Sequence, residues 1–205
     1  REAVAAMAAA SPTRVCPRAV GIKQPDARKL VDYGAMVFNA IGPDNPLRQR
    51  IMAKAPDIVP WINEQCDRAQ LTEDGIGATI YAATDTGEIG EAEAGMLIRS
   101  LLSAGVDTTV SGIGSALWCL AQYPEQFQQL RADPAKRAGP AFEEALRFCT
   151  PVQAFFRTAA DTTTVGGVEI EEGTKILCVL GAANRDAQKF ANPDEFMIDR
   201  DTRGH

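Results

Sequence analysis

Apolar positions recur at helical spacing through the first three quarters of the chain and give way near its end to short β-branched runs. The alanine-rich stretch over residues 1–10 predicts a helix that stops at Ser11-Pro12, followed by a loop containing Pro17. Pro25-Asp26 opens a second helix running to about Ile41. Gly42-Pro43-Asp44-Asn45-Pro46 then separates it from a third, about Leu47 to Ala69, which Pro60 is expected to kink. Gly75 to Thr84 is short and reads either way. From Ile89, Glu91 and Glu93 lead into an apolar series that ends near Tyr123, a helix about threefold longer than the globular mean. Pro124 to Ala132 and Arg137 to Cys149 read as amphipathic helices ending at Thr150-Pro151. Thr162 to Ile170 and Lys175 to Leu180 are β-branched runs bounded by glycines and predict short hairpin strands. No repeat or linker interrupts this series. The fold class is therefore mainly α with a small β portion, in one domain over residues 1–205.

Composition narrows the function classes. A chain of 205 residues, 45% hydrophobic and 23% charged, suits a packed core. Its net charge of -6 is spread along the sequence, which offers nothing to a nucleic-acid backbone. Asp107 and a Thr/Ser/Gly cluster interrupt the apolar run from Val106, and Arg99 interrupts the one before it, so no membrane span is expected. The five cysteines form no CxxC pair and are odd in number, against a disulfide framework or structural zinc; a reducing, cytoplasmic setting and buried, inert thiols are expected. The only histidine is His205, which leaves a Ser-His-Asp hydrolase short of a base. Gly112-Ile113-Gly114 lacks the third glycine and the preceding strand of a dinucleotide fingerprint. Arg1 is no initiator, and the chain closes on Arg203-Gly204-His205, so both ends read as cut and the chain as a fragment.

The chemistry concentrates in Ala104-Gly105-Val106-Asp107-Thr108-Thr109, where a glycine, a carboxylate and two hydroxyls interrupt an apolar helix. A mid-helix threonine can return its hydroxyl to the carbonyl four residues back, here Ala104, opening a groove that a flat cofactor or a diatomic molecule could approach. A polar notch satisfied by a neighbouring helix explains the same residues. Glu144 and Arg147, three apart, share a helical face; a surface pair at this spacing is worth only about 0.3–0.5 kcal/mol.

Order and spacing distinguish these alternatives. The AGVDTT helix, Glu144-Ala145-Leu146-Arg147, Phe155-Phe156-Arg157-Thr158-Ala159 and Ala182-Ala183-Asn184-Arg185-Asp186 follow one another as in cytochromes P-450, and the chain is similar to the middle of such an enzyme. The resemblance implies a haem b monooxygenase, with an incomplete P-450 fold. It makes Asp107 and Thr108 the acid–alcohol pair that delivers protons to dioxygen. Ala104 and Gly105 would then face the haem, and Arg157 and His205 would contact its propionates. Glu144 and Arg147 would fix the core behind the haem loop, a structural role.

The pattern departs from the family in two places. Glu195 stands before Phe196 where many members carry an arginine that joins the Glu-Arg pair, which leaves the third partner unassigned. The glycine-rich loop with the haem-ligating cysteine is expected a few residues after His205, so no metal ligand is assigned within the chain and the fragment alone is expected to be inactive.

Through Asp32 to Ala40, Gly42 to Asn45 and Arg99 to Gly105, the chain looks most like bacterial members that oxidise para-substituted benzoates such as 4-methoxybenzoate. Ser100, Ala104 and Thr108 fall on one helical stripe, where Ser100 could bond a substrate carboxylate with Arg99 as a nearby charge. Phe38, Val152 and Phe155 would line the aromatic ring; core packing for the three, and a solvated helix position for Arg99, are the alternatives. The resemblance also implies electrons from an iron–sulfur ferredoxin and its NAD(P)H-dependent reductase. A haem-free truncated helical protein or interaction module is the reading that remains without the missing loop.

Overall fold

The computed structural model describes residues 4–205, which fall into two compact units, one up to Gly114 and one from Ser115 to His205. Of the helix expected over residues 1–10, residues 1–3 lie outside the described residues, and Val4–Ala8 form a single π-helical turn. The stretch expected as a loop is instead helix α1 (Pro12–Val20), with Pro12 at its first turn and Pro17 inside it. The pyrrolidine at Pro12 costs no intrahelical bond, because the first-turn N–H groups have no partner there anyway. Gly21 ends the helix with φ 97, in the left-handed region that glycine enters without strain. Its N–H donates to Arg18 and that of Ile22 to Pro17, which satisfies the last carbonyls.

Helix α2 (Ala27–Ala40) starts where Asp26 accepts from the backbone N–H groups of Arg28 and Lys29. The expected third helix is two: α3 (Pro46–Met52), capped by Asn45, and α4 (Ala55–Gln65). The break falls at Ala53-Lys54, ahead of Pro56, and not at Pro60, which α4 absorbs. A proline disfavours helical backbone in the residue before it and lacks an N–H, so Pro56 suits the first turn of a new helix better than the middle of an old one. The ambiguous stretch is helix α5 (Ile76–Asp85). It is followed by the expected long helix α6 (Glu91–Gln122), 32 residues, whose Glu93 reaches back to the Gly90 N–H at 2.7 Å.

In the first unit, Ala94, Ile98, Leu102 and Val106 form one buried row of α6, each four residues from the next. This row packs with Leu30, Tyr33 and Met36 of α2 and with Ile58 and Ile62 of α4. Backbone meets backbone where Thr72 N–H donates to the Gly21 carbonyl at 2.7 Å, and a Cβ on Gly75 would stand 2.5 Å from Gly21 Cα.

The second unit contains α7 (Pro124–Ala132) and α8 (Pro134–Cys149). The latter begins three residues before its expected start, because Asp133 caps it through the Lys136 N–H and Pro134 takes the first turn. Strands β1 (Phe155–Thr158) and β4 (Lys175–Cys178) pair antiparallel, as do β2 (Thr163–Val165) and β3 (Val168–Ile170). The tight turn between β2 and β3 has positive φ at both Gly166 and Gly167. Strand β1 was not anticipated, since its alternation is only four residues long, and Val179-Leu180 leave the expected strand for a short helix, α9 (Leu180–Ala183). Among the described residues, no helix is long and apolar enough to cross a membrane.

The Gly75 contact is directly testable. Gly75→Ala should cost about 1–3 kcal/mol in denaturant unfolding, because backbone atoms cannot yield to the added methyl. Gly114→Ala meets nothing within 4 Å and should gain up to about 1 kcal/mol from improved helix propensity.

Candidate functional site

The face of α6 opposite the buried row is exposed: Leu97, Ser100, Leu101, Ala104 and Thr108 all lie on it. Among these five, none carries a charge. Contiguous exposed positions without charge are typical of surfaces that receive a ligand or further polypeptide. Thr108 Oγ1 donates to the Ala104 carbonyl at 2.5 Å, the return bond expected for a mid-helix threonine.

Asp107 is half-buried, and its partial burial has a named cause. Helix α2 passes so close at Gly34 that a Cβ there would lie 2.9 Å from Asp107 Cβ. Desolvation at this contact pushes the Asp107 carboxyl above its usual range. Gly105 meets helix α1: a Cβ there would come within 2.6 Å of the Cys16 thiol, which donates to the Leu101 carbonyl at 3.9 Å. The local role of that glycine is to admit Cys16.

Other expected contacts sit as follows. Ser100 Oγ donates to the Met96 carbonyl at 2.9 Å, and Arg99 Nη1 donates to Asn63 Oδ1 of α4 at 2.9 Å. Phe38 is exposed on α2, Val152 is partly buried, and Phe155 is exposed on β1 beneath the Arg157 guanidinium, 5.1 Å from its ring centre. Arg157 donates to the Phe156 carbonyl and, among the described residues, has no carboxylate partner. His205 lies 3.3 Å from Glu143 and has its Nδ1 2.8 Å from the Thr202 carbonyl oxygen.

The surface reading of the Glu144–Arg147 pair is overturned, because both side chains are 0% exposed. Arg147 Nε and Nη2 donate to the two Glu144 carboxylate oxygens at 2.7 and 2.9 Å. Its remaining N–H groups reach the carbonyls of Asn184 at 2.7 Å, Pro193 at 2.9 Å and Glu195 at 3.2 Å. All five donors of the guanidinium are thereby used, as burial of such a charge requires.

The partner left unassigned is Arg200. Its Nε donates to Glu144 Oε1 at 3.0 Å, and its other donors reach the carbonyls of Ala191, Asn192 and Glu195. The Met197 N–H also donates to Glu144 Oε1, at 3.0 Å. The available signal is an arginine four residues after Phe196, where the family pattern places one before that phenylalanine. Two guanidiniums therefore bind the carbonyls of the 191–195 segment and share a single carboxylate.

The Ala182–Asp186 segment is tied to the same helix end. Asn184 Nδ2 donates to Thr150 Oγ1 at 3.0 Å, while Arg185 donates to the Phe148 carbonyl and lies 3.9 Å from the Phe148 ring centre. The cysteines also depart from expectation: Cys66 and Cys119 are buried, whereas Cys16, Cys149 and Cys178 are partly exposed.

Residues 140–202 match the family model described as Cytochrome P450. The chain is 48% identical over 204 residues to Cytochrome p450 CYP199A2 of Rhodopseudomonas palustris, covering 100% of this chain and 49% of that protein. It is 32% identical to Cytochrome P450 144 of Mycobacterium tuberculosis, covering 97% of this chain and 46% of that one. Among solved structures, P450BioI in complex with hexadec-9Z-enoic acid ligated acyl carrier protein superposes with a TM-score of 0.86 at 29% identity, over 100% of this chain and 54% of that one. Cytochrome P450 CREJ in complex with (4-ethylphenyl) dihydrogen phosphate gives 0.81 at 27% identity, over 97% and 50%. The chain spans about half the length of the relatives it matches.

The buried network yields a stability prediction. Glu144→Gln leaves two arginines without their carboxylate and should cost about 3–5 kcal/mol in chemical unfolding. Arg147→Lys, which keeps the charge but loses the fork, should approach the same loss.

Proposed function

The chain belongs to the cytochrome P450 family, and from that premise we propose that it is the oxygen-activating half of a haem monooxygenase that inserts one atom of O2 into a small aromatic acid. The observation that carries this reading is the uncharged, exposed stripe of α6, interrupted only by hydroxyls and bordered by a carboxyl that burial holds toward its protonated form. Haem b, the family's cofactor, supplies the oxidising chemistry when bound. Of the residues expected to face it, Ala104 is exposed and offers a small, apolar surface to a flat macrocycle, Gly105 instead packs on Cys16, and Arg157 is a cation without a carboxylate partner among the described residues, as a propionate contact needs. His205 already pairs with Glu143, so a second propionate contact there would compete with that carboxylate. The thiolate ligand is assigned to the glycine-rich loop that the sequence resemblance puts after His205.

Burial raises the Asp107 carboxyl above its usual range, which makes it a better proton carrier, and Thr108 offers a hydroxyl with two lone pairs, already aligned on Ala104. Together they are an acid and a relay of the kind general acid catalysis uses. The Cβ-free approach of Gly34 keeps water from one side of Asp107.

Within the substrate class, a para-substituted benzoate is the reading that the Asp32–Ala40 and Arg99–Gly105 segments support. Ser100 would turn its hydroxyl from Met96 toward the carboxylate, while Arg99, held on Asn63, contributes charge at longer range. Phe38, Val152 and Phe155 would give the ring an apolar lining. The complex of CREJ with (4-ethylphenyl) dihydrogen phosphate supports this class, since that ligand is a para-alkylated ring with an anionic end. Electrons would come from an iron–sulfur ferredoxin and its NAD(P)H-dependent reductase.

In the haem-loaded protein containing this chain, Asp107→Asn should slow product formation at least about tenfold with haem binding unchanged. Unchanged turnover would remove Asp107 from the proton path. Thr108→Ala should continue to consume NAD(P)H but release more peroxide per product; tight coupling would contradict the relay.

A third test reads pH. Because the folded-state value of Asp107 is raised, the folded protein holds this proton after the unfolded chain has released it. Stability from this group therefore falls as pH rises through the ordinary carboxylate range to the raised value. Asp107→Asn should flatten that part of the unfolding free energy plotted against pH.

A further inference from the structure

Two thiols in the second unit lie closer together than any role described above requires. Cys119, three residues before the end of α6, and Cys149, the last residue of α8, have their sulfurs 3.5 Å apart. We propose that Cys119 and Cys149 form a peroxide-sensitive dithiol, in which Cys149 is the reacting sulfur and Cys119 resolves it to a disulfide that staples α6 to α8. The inference rests on this chain's own thiols and does not depend on the monooxygenase reading.

The two cysteines differ as such a pair should. Cys119 is 0% exposed, among Ala141, Ala145, Phe196 and Ile198, whereas Cys149 is partly exposed at the edge of that cluster. A small oxidant therefore meets Cys149 first. The surroundings also polarise the pair in one direction. The Cys119 sulfur in contact at 3.5 Å, the Ser115 hydroxyl and the Arg185 guanidinium favour the Cys149 thiolate; against burial, they bring the Cys149 thiol down to about 7. Cys119 is held protonated by the bond it donates to Cys149, by burial and by the charges of Cys149 and Glu144, against Arg185. By contrast, burial pushes Cys66 up to about 12 and also raises Cys16. Reactivity toward peroxide follows the thiolate fraction, so the chain's thiols are not equivalent.

The chemistry balances with hydrogen peroxide as the oxidant. The Cys149 thiolate attacks one peroxide oxygen, the O–O bond breaks, and Cys149 becomes a sulfenic acid as hydroxide leaves and takes up the proton the thiol had released. The Cys119 sulfur then attacks the Cys149 sulfur, the S–O bond breaks, and the Cys119 proton leaves with the hydroxyl as water. Two thiols are oxidised by two electrons, and one peroxide is reduced to two waters. Closing the sulfurs from 3.5 Å to bonding distance requires a shift of about 1.5 Å, within reach of small side-chain rotations. The bond would join positions 30 residues apart at the base of the helix that carries Glu144 and Arg147.

The test uses the protein as isolated. It is exposed to a few equivalents of hydrogen peroxide, blocked with N-ethylmaleimide, digested with trypsin and analysed by mass spectrometry. Cleavage after Arg99, Arg131, Arg147 and Arg157 puts the two cysteines on separate peptides, 100–131 and 148–157. The expected product is these peptides joined with the loss of two hydrogens, reversible by dithiothreitol, and formed before Cys16, Cys66 or Cys178 is oxidised. Thermal unfolding of the oxidised form should rise by roughly 5–10 °C, the scale of a cross-link closing such a loop in a domain of this size. Faster oxidation of another of those cysteines, or over-oxidation of Cys149 without the cross-link, would overturn the proposal. A second readout needs no variant: the pH midpoint of iodoacetamide labelling should be lower for Cys149 than for Cys16, whose thiol burial raises, and a midpoint at or above that of Cys16 would equally contradict it.

Discussion

A single carboxylate, Glu144, holds two guanidiniums in a buried part of the second unit, and the loop between Ala191 and Arg200 takes its path from that arrangement. Burying Arg147 without partners for each of its donors would be prohibitive, so the backbone carbonyls of Asn184, Pro193 and Glu195 must come to it. Arg200 repeats the device on the carbonyls of Ala191, Asn192 and Glu195. Irregular backbone acquires a defined path here because charged side chains need its acceptors. Phe196 and Ile198, buried between these contacts, add the apolar part, and Tyr123, Phe148 and Phe196 pack ring against ring at 5.4 to 5.8 Å.

The first unit solves a different problem. Helix α6 buries one row of residues against its neighbours and leaves the opposite row apolar and open. An isolated soluble helix of this length would carry charge on its outer face. The contrast between Val106, fully buried, and Ala104 and Thr108, exposed two residues to either side, is the local expression of a helix with two different partners. The Gly34 approach explains how the one acid beside the open face comes to be less acidic than an ordinary carboxyl.

Much of this was legible in the sequence, and the exceptions have physical reasons. The length of α6 and the Thr108 return bond followed from periodicity and from the threonine hydroxyl. Helix α1 was missed because proline was read as a breaker at Pro12 and Pro17, although its first-turn position makes the former favourable. The α3–α4 break was displaced from Pro60 to the residues before Pro56, a choice between two prolines that local pattern does not make. Burial of Glu144 and Arg147 was illegible in the local pattern, because an i, i+3 ion pair looks the same on a surface as in a core; only the family resemblance pointed to the core. The partners that make burial tolerable lie about 40 to 50 residues away in sequence. The polarity of the Cys119–Cys149 pair was hidden for the same reason, the two being 30 residues apart.

The proposed role assigns the distal oxygen-activating face of a haem-thiolate enzyme to α6 and the thiolate to the glycine-rich loop that the family resemblance implies. The ferrous–carbon monoxide absorption spectrum tests it most directly, compared between haem-loaded residues 1–205 and a chain continued through the cysteine-containing loop. The account predicts the thiolate-type Soret band in the continued chain and its absence from residues 1–205. A thiolate-type band from residues 1–205 alone would put the ligand among Cys16, Cys66, Cys119, Cys149 and Cys178 and contradict the account, as would its absence from both.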